Sequence, residues 1–341
     1  MKKTTVFVLF ILAFIIPASS APQDDRVFQT TPLFTATPTI ISSTPPTPTL
    51  TPAPTATPMG GGGKIIFLDG DFEANKWEIF SVNSNGTGRK QLTFLGGTID
   101  HPVWSPNGER IVFSYKKNED DFWQLYTMNA DGSALTDISV NNNKNYSTPG
   151  WSPDGSKIVF VSETDEQDVK KANPRLDIFM MNADGTNEIP ITNDPATSAD
   201  DHILDKDPDW SPDGSKFVFI SYVSSIPNIF IMNADGTEKR ALTDFQAGTM
   251  LPKWSPDGKS IVFMSQKDGQ NEWEIYIMNS DGTDVLRLTN NNTWDTGPIF
   301  SPDGAKIAWN SCCFNISIMN LDGSGVTKLY PEFEWGFDLK P

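Results

Sequence analysis

Along residues 64–341 the apolar positions fall into short runs separated by polar gaps. "IVF" at Ile111, Ile158 and Ile261, "FVF" at Phe217 and "IAW" at Ile307 form one set. "IFSVN" at Ile79, "LYTMN" at Leu125, "IFMMN" at Ile178, "IFIMN" at Ile229, "IYIMN" at Ile275 and "ISIMN" at Ile316 form another. Runs this short, rich in β-branched and aromatic residues and bounded by Gly, Pro, Asn and Asp, predict strands.

The runs recur in register with their turns. A first half reads "HPVWSPNGERIVF" from His101, "TPGWSPDGSKIVF" from Thr148, "DPDWSPDGSKFVF" from Asp207, "LPKWSPDGKSIVF" from Leu251 and "GPIFSPDGAKIAW" from Gly297. A second half carries Asn-x-Asp-Gly-Thr/Ser and ends near "LT", as in "MNADGTEKRALT" from Met232. In "SPDG", proline presets φ at the second position, aspartate tolerates the third, and glycine supplies the positive φ that closes a bulged hairpin. "NADGT" does the same one strand later. Each unit then has four antiparallel strands in about 45 residues, the size of a propeller blade, and such a unit stacks on copies of itself to bury its faces. The aromatic of each "WSP" or "FSP", namely Trp104, Trp151, Trp210, Trp254 and Phe300, is expected to fill the wedge between sheets.

Counting the halves predicts how the ring closes. The first half occurs five times and the second six, the surplus being the earliest, Lys64 to Phe94. That unit lacks its innermost strand. The tail "EFEWGFDLKP" (Glu332 to Pro341) resembles "NNTWDTGPIF" (Asn291 to Phe300), with Trp335 set against Trp294. The fold class is therefore all-β, a six-bladed β-propeller over 64–341 whose C-terminal strand closes the first blade and leaves no open edge.

These repeats resemble the WD40-like (PD40) repeats of TolB-type six-bladed propellers, over about four-fifths of the chain. The resemblance implies an extracytoplasmic protein that binds other proteins, with a partner docking at the channel entrance. TolB-type proteins carry an α/β domain ahead of the propeller, where this sequence has a Thr/Pro-rich stretch. The same repeats form the N-terminal propeller of prolyl oligopeptidase-like serine peptidases, but the 341 residues hold no G-x-S-x-G elbow.

The N-terminus changes the picture of location. Lys2 and Lys3 precede the apolar run Val6–Ile16, and small residues follow Pro17, so 1–21 reads as a secretory signal peptide. The run falls short of the roughly 20 residues of a spanning helix; an uncleaved anchor is the alternative. Residues 22–63, dominated by Thr, Pro and Ala and ending in four glycines, read as a disordered spacer. The expected setting is secreted, periplasmic or on the surface of a bacterial cell, with no membrane insertion after cleavage. Cys312 and Cys313, the only cysteines, are expected as buried thiols, with a strained vicinal disulfide as the alternative.

Charge narrows the partners. The chain carries −17 overall, and residues 64–341 hold 23 basic against 41 acidic residues. Such a field repels nucleic acid and favours a basic protein or peptide. A cell-surface glycan is a second partner class, and a monomer is expected.

Candidate chemistry is sparse. His101 and His202 are the only histidines, and no nucleophile, base and acid can be assembled from the sequence. No catalytic residue and no metal ligand set is assigned. No cofactor is expected, calcium at an acidic loop or in the channel being the one ion left open, since no segment fits an EF-hand register. The positions that converge on one axis are those opening each innermost strand: Asp100, His101, Thr148, Lys206, Asp207, Met250 and Asp295. The expected function is a non-enzymatic binding module acting through this mouth. A carbohydrate-active or peptide-cleaving enzyme using channel carboxylates is the alternative. Exposed rings at Trp77, Trp123 and Trp273 would favour sugars; partial burial is expected.

Overall fold

Serine and aspartate make each SPDG turn self-sufficient. In the third repeat the Asp154 carboxylate accepts the Ser152 hydroxyl at 2.6 Å and the Ser156 N–H at 3.0 Å, while Ser152 Oγ accepts the Lys157 N–H at 2.9 Å. Gly155 takes φ of 70°, a left-handed conformation glycine adopts without strain. The turn thus fixes the register of the strands on either side of it. The computed structural model describes residues 64–341 apart from 72–73, 84–86, 142, 164–174, 194–203, 224, 269–271, 312–314, 331–336 and 340–341. The segments expected as signal peptide and spacer, His202, both cysteines and Trp335 lie outside the described residues.

The strands follow the repeat. Blade one begins with β1 (Lys64–Asp71), β2 (Lys76–Asn83) and β3 (Lys90–Gln91). Blade two is β4 (Thr98–Trp104), β5 (Arg110–Lys116), β6 (Gln124–Asn129) and β7 (Thr136–Asp137). Blade three is β8 (Tyr146–Trp151), β9 (Lys157–Glu163), β10 (Leu176–Asn182) and β11 (Ile189–Pro190). Blade four is β12 (Asp205–Trp210), β13 (Lys216–Val223), β14 (Ile226–Asn233) and β15 (Arg240–Ala241). Blade five is β16 (Thr249–Trp254), β17 (Ser260–Ser265), β18 (Glu274–Asn279) and β19 (Leu286–Arg287). Blade six is β20 (Asp295–Phe300), β21 (Lys306–Ser311), β22 (Asn315–Asn320) and β23 (Thr327–Tyr330).

The last strand, β24 (Phe337–Leu339), pairs antiparallel with β1 and becomes the innermost strand of blade one. Six four-stranded antiparallel sheets result, the ring expected from the repeat count. The closing register differs in one detail. Leu339 pairs with Ile65 as Phe300 pairs with Ile307, so by register Leu339 takes the place of the repeat aromatic, two residues earlier than the likeness of the tail to Asn291–Phe300 implies.

Cores form between blades. Trp104 of blade two is buried with Ile66, Leu68 and Ile79 of blade one. Trp151 joins Val112 and Leu125 of blade two, and its indole N–H reaches the Val103 carbonyl at 3.3 Å. Trp254 packs with Val218 and Ile229, and Phe300 with Val262 and Ile275. Trp210 is only partly buried, its ring tilted 51° against that of Phe217 with 4.2 Å between centroids. Full burial of one such side chain stabilises by about 1.5–3 kcal/mol, so every interface contributes and no blade is independent.

The topology defines two faces. Inner strands run from an upper face to a lower one, where the SPDG and DGT turns lie. The starts of β4, β8, β12, β16 and β20, the ends of β1, β5 and β17 and the starts of β2, β6 and β18 lie on the upper face. Lys64 opens β1 at the lower face, so the chain enters the propeller on the side away from the mouth.

Candidate functional site

Five inner strands share an irregularity. Their pairing with the next strand slips between Asp100 and Val103, Ser147 and Gly150, Lys206 and Asp209, Met250 and Lys253, and Thr296 and Ile299. Each slip holds two unpaired residues, the second a proline, whose missing N–H suits a bulge. The first residue is left-handed every time: His101 φ 49°, Thr148 φ 47°, Asp207 φ 52°, Leu251 φ 52° and Gly297 φ 60°. For a β-branched threonine or a leucine before proline this is costly, on the order of 1–3 kcal/mol. Bulges re-aim side chains, and here five blades aim one residue each at the upper end of the inner wall.

Electrostatics show that these residues face one another. His101 Nδ1 lies 3.1 Å from Asp100 Oδ2, and the His101 N–H donates to Asp100 Oδ1 at 2.9 Å. Burial alone would lower the His101 pKa. The Asp100 carboxylate, helped by Asp207 of blade four and opposed by Lys253 of blade five, leaves it raised above its ordinary value. Burial would raise the Asp100 pKa, and the His101 contacts bring it below the usual aspartate value instead. Groups from blades two, four and five are therefore within electrostatic reach. The His101 side chain keeps 41% of its surface open to solvent, as a group lining a channel does.

Asp100, His101, Thr148, Lys206, Asp207 and Met250 all sit at or beside these bulges, and all are at least partly exposed. Asp295 does not belong with them. It is wholly buried, one residue earlier in the repeat than Met250, and burial raises its carboxyl pKa against hydrogen bonds led by Asn291. Side chains alternate along a strand, so a one-residue offset turns it from the channel into the blade. Its counterparts are Asp205 and Thr249, both also fully buried. Aligning every blade on its proline gives the rim members the sequence reading missed, Leu251 and Gly297. Lys206 folds back, its ammonium 5.8 Å from the Tyr222 ring.

Further exposed apolar residues share this face. Phe94 is 78% exposed and Val140 61%, both in connections leading to an inner strand, and Trp294 precedes β20 at 40%. Trp77 and Trp273 are buried more fully than expected, and Trp123 is partly buried. Among the described residues, no three His, Cys, Asp or Glu side chains converge as a metal set, and no helix is long and apolar enough to cross a membrane.

A sequence profile of the TolB beta propeller domain, built of PD40 repeats, matches residues 164–330. Together with the six closed blades, this decides the class. The chain is a six-bladed β-propeller whose residues 164–330 match PD40. The fold is shared with the crystal structure of TolB from Acinetobacter baumannii at a TM-score of 0.62 and 21% identity, over 76% of this chain and 62% of that one. A putative TolB from Agrobacterium tumefaciens gives 0.58 and 21%, over 78% and 87%. An oligogalacturonate lyase in complex with manganese gives 0.56 and 17%, over 78% and 74%. This chain spans 62% of the Acinetobacter protein's length. At such identities the likeness is one of fold. No curated protein matches the chain.

Proposed function

We propose that this propeller is a non-enzymatic, extracytoplasmic binding module that takes a protein segment at the upper mouth of its channel. One observation carries the reading: left-handed residues from five blades, strained at Thr148 and Leu251, converge on the face that also exposes Phe94, Val140 and Trp294. Strain maintained at equivalent positions, beside large apolar side chains left in water, fits a rigid recognition surface. The polar groups there are mixed, Asp100, Asp207 and His101 beside Lys253, which suits orienting a partner more than attracting one charge sign. Asp100 titrates below the usual aspartate value and stays ionised at neutral pH, so it offers no proton to a leaving group. The basic start and apolar run of residues 2–16 support export.

The test is capture from native envelope extract by the full chain, compared with a Phe94→Asp, Val140→Asp double variant. The reading expects a protein that the wild type retains and the variant loses by about tenfold or more, equivalent to about 1.4 kcal/mol. Equal retention by both would contradict it.

A further inference from the structure

The lower face, opposite the mouth, is cut by clefts between blades. One of about 600 Å³ lies between blades three and four, and one of about 370 Å³ between blades four and five. The same repeat positions line both. The first holds Lys157, Trp210 and the turn carboxylates Asp154, Asp213 and Asp235. The second holds Lys216, Arg240, Trp254 and the turn carboxylates Asp213, Asp257 and Asp281. Asp213 therefore stands between the two clefts and belongs to each.

The molecule itself shows what this position accepts. One interface earlier, between blades two and three, Arg110 occupies the place of Lys157 and Lys216. Its guanidinium carbon lies 5.3 Å from the Trp151 ring centroid, and Nη2 donates to Thr127 Oγ1 at 2.7 Å. In blade four the equivalent Lys216 turns elsewhere, its ammonium 2.8 Å from Asn233 Oδ1. Trp254, 9% exposed, has an indole N–H buried without a hydrogen-bond partner, and the Trp210 indole N–H has none either. Asn107 stands at the turn of blade two, where blades three and four carry Asp154 and Asp213. The interface with arginine at this repeat position thus carries asparagine in its turn, and the two clefts, with lysine there, carry aspartate.

We propose that the paired clefts of blades three to five bind an arginine-bearing peptide segment of a partner protein, each taking a guanidinium against its tryptophan ring, as the neighbouring interface does with Arg110, and beside the turn carboxylates that this interface lacks in part. Arginine fits better than lysine, because a planar guanidinium stacks on indole and presents several donors to carboxylates at once. Asp154 and Asp213 are held at about 2, first by the hydroxyls of Ser152 and Ser211, so the clefts stay charged well into acid. The overall charge of −17 draws such a segment in. The surface is separate from the mouth, and the two can be tested apart.

The experiment titrates the full chain with a fluorescent peptide of alternating arginine and glycine, with lysine and glutamate counterparts. Two substitutions come from the chain's own repeats. Asp213→Asn keeps the turn, because Asn107 accepts Ser105 Oγ at 2.7 Å and the Glu109 N–H at 3.1 Å in the same geometry. Trp210→Phe copies Phe300 of blade six. A cooperative thermal transition in each variant establishes that both are folded. The arginine peptide should bind saturably and the lysine peptide about threefold more weakly. Asp213→Asn should weaken binding about fivefold and Trp210→Phe about threefold, while Asp207→Asn at the mouth changes nothing. The proposal is overturned by an arginine peptide that does not saturate, by equal binding of lysine, or by affinity that drops with Asp207→Asn and not with the cleft variants.

Discussion

Lys253 of blade five holds Asp209 of blade four, Nζ to Oδ1 at 3.1 Å, and the other oxygen of that carboxylate accepts the Trp254 N–H at 2.8 Å. One aspartate thus ties two neighbouring inner strands through a charge and a backbone donor. The two contributions separate. Both side chains are about one-third or one-quarter exposed, so the ion pair is worth little, below about 1 kcal/mol. The backbone N–H is the larger stake, because it loses its acceptor. Asp209→Ala should cost about 1–3 kcal/mol in chemical denaturation and Lys253→Met less than about 1. Equal costs for the two would refute this division.

The left-handed rim makes a prediction of opposite sign. Thr148 sits at φ 47° before Pro149, where blade six places Gly297. Thr148→Gly relieves that strain, though it frees the unfolded chain, and should raise stability by up to about 1 kcal/mol. If the rim is a recognition surface, partner capture should fall in the same variant. A loss of stability would show that Thr148 is not strained.

Ring closure rests on three residues. β24 pairs with Ile65, Ile66 and Phe67 and nothing covalent holds it. Ending the chain after residue 336 should cost at least about 2 kcal/mol, since an antiparallel ladder of three pairs carries at least two backbone hydrogen bonds at about 1 kcal/mol each. Hydrogen exchange should then rise first in Ile65–Phe67. Unchanged exchange there would show that the tail does not seal the ring.

Acid stability follows from the turn carboxylates. Asp154 and Asp213 titrate at about 2 in the folded chain and from 3.8 when unfolded. As pH falls through 3.8 the unfolded state takes protons first, so the stability they contribute is present above that value and drains as pH approaches 2. Asp154→Asn and Asp213→Asn should each flatten the acid limb of Tm against pH, modestly, since both carboxylates are exposed. Asp295 works the other way: its raised pKa gives a contribution present below 3.8 and lost as pH rises through the folded value. Asp295→Asn should therefore raise stability at neutral pH relative to acid. Acid limbs that match the wild type in all three variants would contradict these assignments.

The blades were legible because their information is local. "SPDG" and "NADGT" carry the whole turn mechanism in four or five residues, and an unequal count of the two halves gave the closing strand. The rim was less legible. In blades two to four the chosen positions include the residue directly before the proline, but in blade five the chosen one lies one residue earlier and in blade six two, bringing in buried Asp295 and omitting Leu251 and Gly297. Proline at the second bulge position was the available signal. Left-handed φ at Thr148 and Leu251 left no trace in residue type, since neither residue favours it. The lower clefts were invisible for another reason: they join turns from different blades, and nothing along one repeat records which lysine covers the next blade's tryptophan.

The account's central claim is that partners meet the upper mouth. Amine-reactive crosslinking of a captured partner, mapped by mass spectrometry, tests it most directly, because Lys206 lies at the upper end of an inner strand, near the mouth, and Lys157 and Lys216 on the lower face. Crosslinks to Lys206 are predicted. Crosslinks confined to Lys157, Lys216 and their lower-face neighbours would contradict it.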